Sequence, residues 1–151
     1  MEQNWDSILT ADPGETDVFL RSNGNIPSEL VGGRYFLNGP SKLLFDGKRT
    51  HPFDGNGFVR SFRFAQNGVQ LKSRYIKTPS YLKQESTGEY SHWGIGTLPY
   101  SSWWKNFSMP RQRRNTANTT VVPWDNKLLC GFEGHIPYAL NIETLETIGP
   151  Y

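Results

Sequence analysis

The sequence predicts an all-β protein built from antiparallel strands, and three observations carry this prediction. Glycine and proline are frequent, with 15 and 10 residues in a chain of 151, which favours many turns over long helices. Two runs of alternating apolar and polar residues flank the pair Asn67-Gly68, the strongest short-range signal for a β-hairpin. Three more strand-like runs follow closely at 118–123, 127–133 and 136–142. We therefore expect antiparallel sheets and no helix longer than a turn or two.

The first third of the chain contains one short strand signal. Residues 1–30 are polar with few apolar anchors, and we expect them to wrap as an arm around something larger. Gly33–Leu37 reads as a strand that ends at Asn38-Gly39-Pro40, because these residues favour a turn and proline lacks an N–H donor.

The hairpin around Asn67-Gly68 is predicted in detail. Its first strand, Phe58–Phe64, alternates with a period of two, which is typical of a half-buried strand. Its second strand is Val69–Thr78. Side chains alternate between the two faces of a strand, so Phe58, Phe62 and Phe64 should share one face, with Leu71 and Tyr75 opposite them.

The second half of the chain predicts a loop and then another sheet. Residues 79–114 show little periodicity and contain several glycines and prolines, so we expect a long loop excursion. The later strand runs, with Trp124-Asp125-Asn126 as a turn, predict two successive hairpins in a four-stranded antiparallel sheet, as in a propeller blade. Since one or two blades cannot close a ring, residues 1–151 are expected to be a single incomplete domain at the beginning of a larger protein.

Composition narrows the function classes. Sixteen Lys and Arg against 14 Asp and Glu give a net charge of +2, too mild a balance to indicate a nucleic-acid partner. Cys130 is the sole cysteine, which excludes an internal disulfide. No run of 18 apolar residues is present to span a membrane, and the N-terminus lacks the basic start and apolar core of a signal peptide. We expect a cytoplasmic protein, peripheral on a membrane if it meets one.

The segment THPFDGNGF at residues 50–58 has two interpretations. His51 and Asp54 could belong to a metal or catalytic loop. The Asp-Gly and Asn-Gly pairs favour a tight corner that leads into a sheet. We favour the corner, with Asp54 bonded to backbone amides in the turn.

Five motifs, in order along residues 27–149, resemble the carotenoid cleavage oxygenase family, which includes apocarotenoid oxygenases and the retinoid isomerase of the eye. They are GRYFLNGP at 33–40, HPFDGNG at 51–57, SRYIKT at 73–78, NTANTTVV at 115–122 and LLCGFEG at 128–134, with PY at 137–138 and ETLET at 143–147 after the last. Leu37, Asn56 and Phe132 depart from the family pattern, which often has Arg, Asp and Trp there. These departures leave the substrate open.

The resemblance implies a seven-bladed β-propeller, of which this chain would form the first blade and part of the next. In the family, four histidines hold Fe²⁺ on the propeller axis, and O₂ cleaves a double bond of a lipophilic polyene in an apolar tunnel. None of His51, His92 and His135 matches a ligand position, and the first ligand would fall beyond Tyr151. The resemblance therefore implies no metal ligand and no catalytic residue in this chain, which should not bind iron alone.

The resemblance also implies roles for individual residues around the iron. Glu133 matches a glutamate that accepts the second ring N–H of a ligand histidine, although an exposed or paired strand residue is the plain alternative. Thr119 matches a threonine near the vacant iron position, or is an ordinary strand residue. Phe53 and Phe132 would line the substrate tunnel, or are core aromatics.

Residues 100–107, YSSWWKNF, are followed by basic residues that include Arg111. Aromatic residues beside cations suit a membrane-interface anchor, and Trp103, Trp104 and Phe107 would form this membrane patch. The alternative is a loop that folds its aromatics onto the sheet. Stacking on RNA bases is disfavoured because no RNA-binding motif is present.

Two function hypotheses follow. The first is the N-terminal portion of an iron(II)-dependent dioxygenase that cleaves a double bond of a carotenoid or apocarotenoid. The second is a non-catalytic, shortened relative that binds a lipophilic pigment or a larger assembly. In either case its open edge strands would pair with the remainder of the propeller or with another chain.

Overall fold

The structure is a computed structural model that describes residues 12–45, 47–100, 103–107 and 112–151. Its strands are β1 Thr16–Arg21, β2 Arg34–Ser41, β3 Leu44–Phe45, β4 Lys48–Arg49, β5 Asn56–Ala65, β6 Gly68–Tyr75, β7 Thr120–Trp124, β8 Lys127–Phe132, β9 His135–Asn141 and β10 Thr147–Pro150. An α-helix, α1, spans Pro79–Thr87, and short 3-10 helices span Pro52–Asp54 and Trp103–Phe107.

Two four-stranded antiparallel sheets make up most of the fold. The first has the order β1-β6-β5-β2, and the second is a meander in the order β10-β9-β8-β7. The predicted hairpin is confirmed, because Phe62 pairs with Leu71 and Phe58 with Tyr75 across β5 and β6. The all-β prediction and its four-stranded antiparallel sheets are confirmed as well. β3 and β4 form a separate two-stranded pair.

Within the segment predicted to wrap as an arm, residues 1–30, the structure adds a strand that was not predicted, because β1 pairs along its whole length with β6. Two other local predictions were wrong. The strand that should stop at Asn38-Gly39-Pro40 continues as β2 to Ser41. β2 is an edge strand of its sheet, and proline is tolerated on an edge, where the missing donor interrupts no ladder.

The second error concerns the excursion 79–114, which begins with helix α1 of 9 residues. Thr78 caps its first turn by accepting a hydrogen bond from the amide of Tyr81, and Pro79 occupies the first turn, where a missing N–H costs nothing. Gly88 ends the helix in the left-handed conformation with φ of 72°, as glycine does at helix C-termini.

The largest core cluster joins the two sheets. Its buried members are Val59, Ile76, Ala117, Leu128, Cys130, Tyr138, Leu140 and Leu145. Cys130 is therefore a buried apolar residue, and burial raises the pKa of its thiol to about 12. On the opposite face of β5, Phe58 packs with Tyr75 and Tyr81, so the start of this strand is buried on both sides rather than on one.

No helix among the described residues is long and apolar enough to cross a membrane.

Polar contacts fix the two sheets relative to each other. The side-chain amide of Asn38 on β2 donates to the carbonyls of Ala117 at 2.7 Å and Thr120 at 3.0 Å. At the start of β2, Arg34 bonds the Glu143 carboxylate at 2.7 Å and the Ile142 carbonyl at 2.9 Å. The edge of the first sheet is thereby held beside the segment that enters the second.

Candidate functional site

The corner at residues 51–57 is built by backbone geometry. His51 precedes the 3-10 turn Pro52–Asp54, and its Nδ1 accepts a hydrogen bond from the amide of Phe53 at 3.3 Å. The His51 amide donates to the hydroxyl of Thr97 at 2.8 Å. The ring of Phe53 is 58% exposed and meets the His51 ring edge-on. His51 therefore acts as a cap in this turn.

Asp54 is fully buried and accepts two backbone hydrogen bonds, from Ile95 at 2.6 Å and Gly96 at 3.0 Å. The prediction that Asp54 bonds backbone amides is confirmed, but the prediction that these amides belong to its own turn is wrong, because both donors lie in the 79–114 excursion. A Cβ at Gly94 would collide with the Asp54 carboxyl group, so this close approach requires glycine. The corner and the excursion are locked together through Asp54.

Three of the predicted site residues lie along one hydrogen-bonded path. The side-chain amide of Asn118 donates to the carbonyl of Phe53 at 2.9 Å and to that of Gly55 at 2.8 Å. The next residue, Thr119, bonds the carbonyl of Gly131 through its amide at 3.1 Å and its hydroxyl at 2.9 Å. Gly131 is followed directly by Phe132. The fold thus brings the backbones of Phe53, Thr119 and Phe132 into one neighbourhood.

A depression of about 510 Å³ lies beside this path. Its lining comprises Trp93, Gly94, Ile95, Arg113, Arg114, Phe132, Glu133, Gly134 and His135. Phe132 is 8% exposed, and its ring stacks on that of His135 with centroids 6.0 Å apart. Glu133 is exposed, and among the described residues its carboxylate has neither an ion pair nor a hydrogen bond.

Sequence reasoning missed a buried arginine at the base of this region. Arg114 is 2% exposed, and its Nη2 donates to the side-chain oxygens of Asn56 and Gln84, the latter at 2.7 Å. Its Nη1 reaches the Ser91 carbonyl at 3.2 Å, and the guanidinium lies 4.8 Å from the ring centroid of Tyr90. Burial lowers the pKa of Arg114. The only signal in the sequence was Asn56 at a position where the family pattern has aspartate.

The histidines do not form a metal site within the described part of the chain. No group of three or more His, Cys, Asp or Glu side chains in that part is arranged to hold a metal ion. His51 is engaged in the corner, His135 stacks on Phe132, and the Nδ1 of His92 lies 2.8 Å from the Ser91 hydroxyl. Desolvation lowers the pKa of His92.

The aromatic turn, residues 103–107, points its apolar side chains outward. Trp103, Trp104 and Phe107 are 73%, 62% and 63% exposed. By contrast, the polar Asn106 is buried and exchanges two hydrogen bonds with the backbone of Tyr100, at 3.2 and 2.8 Å. Lys105 lies 5.6 Å from the Trp104 ring. Arg111, predicted to support the same patch, lies outside the described residues.

Comparison with known proteins gives a consistent set of relatives. The sequence profile of the retinal pigment epithelial membrane protein family matches residues 11–151. The chain is 34% identical to the apocarotenoid-15,15'-oxygenase of Synechocystis, over 97% of this chain and 30% of that enzyme. It is also 34% identical to carotenoid cleavage dioxygenase 7 of Oryza sativa, over 86% of this chain and 22% of that protein. The chain therefore spans less than a third of the length of these relatives.

Solved structures agree with the sequence matches. A variant of the Synechocystis apocarotenoid oxygenase with a glutamate changed to glutamine superposes with a TM-score of 0.87 at 30% identity, over 97% of this chain and 31% of that one. Structures with a Thr→Ala and a Trp→Ala change in the same enzyme match with TM-scores of 0.86 and 0.87. These neighbours identify the two sheets as part of a β-propeller. The chain belongs to the retinal pigment epithelial membrane protein family, which is the family of the carotenoid cleavage oxygenases.

Proposed function

We propose that this protein takes part in the iron(II)-dependent oxidative cleavage of a double bond in a carotenoid or apocarotenoid. The described residues would supply part of the substrate wall and part of the shell around the metal. The observation that carries this proposal is the Glu133 carboxylate, which is exposed and unpaired within the described residues, directly after a buried aromatic wall residue.

Substitutions in the Synechocystis relative support the choice of residues. There the substituted tryptophan and glutamate are consecutive, as Phe132 and Glu133 are here. The substituted threonine precedes that glutamate by the same number of residues as Thr119 precedes Glu133. The same three positions were thus chosen for study in a protein named for this activity.

The role proposed for Glu133 is to accept the free ring N–H of a histidine that binds iron. Such a bond fixes the tautomer and orientation of the ring and raises its basicity. The described residues contain no ligand cluster of their own, so this chain would contribute the outer partner and not the ligands. The unpaired carboxylate fits that task, and the bound iron would supply the activation of O₂.

The other residues would shape the space next to the metal. Phe132 is held against His135 and would offer a fixed apolar surface to the polyene, whereas the exposed ring of Phe53 would extend this wall. The hydroxyl of Thr119 is already committed to the Gly131 carbonyl. Its methyl group is therefore the part that would limit what fits beside the iron.

The test is Glu133→Gln in the protein assembled with the segment or chain that supplies the ligand histidines, measured by cleavage of an apocarotenoid and by bound iron. Loss of a partner of a metal-ligating histidine typically costs about 10–100-fold in metal affinity or activity, so we expect a loss in that range. Glu146→Gln, another exposed glutamate, is the matched control and should change neither quantity. Wild-type cleavage and iron content in the Glu133 variant would refute the proposed role.

We also propose that the aromatic turn makes peripheral contact with a membrane and so gives access to a lipophilic substrate. Its support is an inverted pattern, in which the polar Asn106 is buried while both tryptophans and Phe107 are exposed. Indole rings favour the membrane–water interface, and Lys105 would add attraction to anionic lipid.

Replacing Trp103 and Trp104 together by serine tests this contact. We expect binding to anionic liposomes to weaken by about tenfold or more, which corresponds to about 1.4 kcal/mol, with an unchanged melting temperature. Trp124→Ser, which removes a tryptophan that is 61% exposed on β7, is the control. A lower melting temperature with unaltered liposome binding would show that the turn packs against the protein instead.

A further inference from the structure

The depression beside Glu133 has an apolar part and a cationic part. Trp93, Ile95 and Phe132 provide the apolar surface, and Arg113 stands in the same lining. The volume of about 510 Å³ lies within the range of small-molecule sites, which combine apolar walls with a few placed polar groups. This combination suits an elongated apolar molecule with a charged end.

The backbone of Arg113 is fixed in place by its neighbours. Trp93 and Arg113 form an isolated parallel bridge, in which the Trp93 amide donates to the Gln112 carbonyl at 2.9 Å and the Arg114 amide to the Trp93 carbonyl at 2.8 Å. The side chain of Arg113 is exposed. Across the described residues, no carboxylate forms an ion pair with it. Arg113 thus offers a free guanidinium from a fixed backbone.

The adjacent Arg114 adds to the positive potential of the same depression. Its hydrogen-bond acceptors are neutral oxygens of Asn56, Gln84 and Ser91. Its Nε is buried and has no hydrogen-bond partner in the part of the chain that the structure describes. Asp54 interacts electrostatically with Arg114 but is not hydrogen-bonded to it, so its carboxylate offsets the buried charge only across a distance, and an anion in the depression would add to that compensation.

We propose that Arg113 binds the carboxylate end of a conjugated substrate whose apolar body lies against Trp93, Ile95 and Phe132. This inference rests on the proposed function and specifies the substrate class, an acid-ended polyene. A guanidinium binds a carboxylate through two parallel hydrogen bonds, which a neutral ester end cannot accept with equal strength. The negative charge of Glu133 would repel the carboxylate of the substrate. The acid end would therefore lie toward Arg113 and the apolar chain toward Glu133.

The probe pair for the test is all-trans-retinoic acid and its methyl ester, which share the polyene and differ at the end group, a charged carboxylate in one and a neutral methyl ester in the other. Binding to the purified protein is followed by quenching of tryptophan fluorescence. We expect wild-type protein to bind the acid more tightly than the ester. Arg113→Met should weaken acid binding by about tenfold and leave ester binding unchanged, while Arg113→Lys should keep most of the preference. Arg21→Met, an exposed arginine on β1, is the control.

Three results would overturn the proposal: equal binding of acid and ester by the wild type, equal loss of both in Arg113→Met, or binding of neither probe. The outcome is separable from that of the proposed function. A protein that prefers the acid but cleaves no polyene would refute the oxygenase function and keep the acid site. A protein that cleaves apocarotenoids without preferring the acid would keep the oxygenase function and refute the acid site.

Discussion

Asp54 and Glu133 are two carboxylates beside glycine-rich turns, yet the fold treats them in opposite ways. Asp54 is fully buried and accepts hydrogen bonds from the amides of Ile95 and Gly96. Glu133 is exposed at the end of β8 and has no partner among the described residues. Both belong to motifs that resemble the family pattern, Asp54 to HPFDGNG at 51–57 and Glu133 to LLCGFEG at 128–134.

The difference separates a structural carboxylate from one that is available for binding. A buried carboxylate is stable only when its lone pairs are satisfied, and Asp54 meets this condition by tying the corner to the excursion. Both oxygens of its carboxylate already accept hydrogen bonds from the protein backbone. Glu133 keeps its full capacity for a partner, which is why the proposed function is built on it.

Alanine variants of the two carboxylates should differ strongly in stability. Asp54→Ala removes the buried acceptor of two part-buried hydrogen bonds from the amides of Ile95 and Gly96, and hydrogen bonds to charged groups contribute about 1.5–3 kcal/mol each. We expect the free energy of unfolding to fall by about 3 kcal/mol. Glu133→Ala should change it by less than about 0.5 kcal/mol, as exposed substitutions do. Urea unfolding of both variants measures the contrast.

Equal destabilisation by the two alanine variants would mean that Glu133 is also a structural residue. The control for Asp54→Ala is Asp54→Asn, which keeps one side-chain oxygen as an acceptor. It should recover part of the lost stability, since one of the two amides can still be bonded.

The strands were predictable because their signals are local. Asn67-Gly68 between two alternating runs predicts the hairpin of β5 and β6. In the later hairpin of β7 and β8, Asp125 and Asn126 take positive φ angles of 45° and 58°, as a tight hairpin turn needs. Helix α1 was missed because its surface is mostly polar and gives no clear period. Its ends are nevertheless marked in the sequence, by Thr78-Pro79 at the start and Gly88 at the end.

The site was predictable only as far as its motifs reach. The motifs located Phe53, Thr119, Phe132 and Glu133, and the fold brings the first three into one neighbourhood. The network of Arg114 could not be found, because it joins Arg114 to Asn56 across 58 positions and to Gln84 across 30. Such pairings are set by the packing of β5, α1 and the excursion, which no local pattern encodes.

Asn56→Asp would place a second buried carboxylate, besides Asp54, next to Arg114. Asn56 already bonds the Arg114 guanidinium through its side-chain oxygen, so aspartate would convert a neutral contact into an ion pair. We expect about 1 kcal/mol of added stability at pH 7. The gain should disappear as the pH falls through the pKa of the new carboxyl group, because protonation removes the charge.

Urea unfolding at pH 7 and pH 3 measures this gain, with Asn56→Leu as the control. Leucine removes one of the hydrogen-bond acceptors of the buried Arg114 guanidinium and should be clearly destabilising. Destabilisation by aspartate as well would show that Asp54, which also lies in the electrostatic field of Arg114, already balances its charge.

The smallest expected effect concerns His92, on the excursion that Asp54 anchors. Its pKa lies below the ordinary value of 6.5, first because of desolvation and then because of the charges on Lys83 and Arg114, against the opposing bonds to Gln112 and Ser91. A lowered pKa means that the unfolded chain takes up the proton first as the pH falls. The contribution of His92 to stability is therefore complete above pH 6.5 and is lost as the pH falls through the folded-state pKa.

His92→Asn removes this titration and suits the backbone, since His92 has a φ of 70°, which asparagine tolerates. Between pH 8 and pH 5 the variant should lose less stability than the wild type, by under about 1 kcal/mol. An equal loss in both proteins would show that His92 titrates alike in the folded and unfolded chains, and that its burial against the excursion has no electrostatic cost.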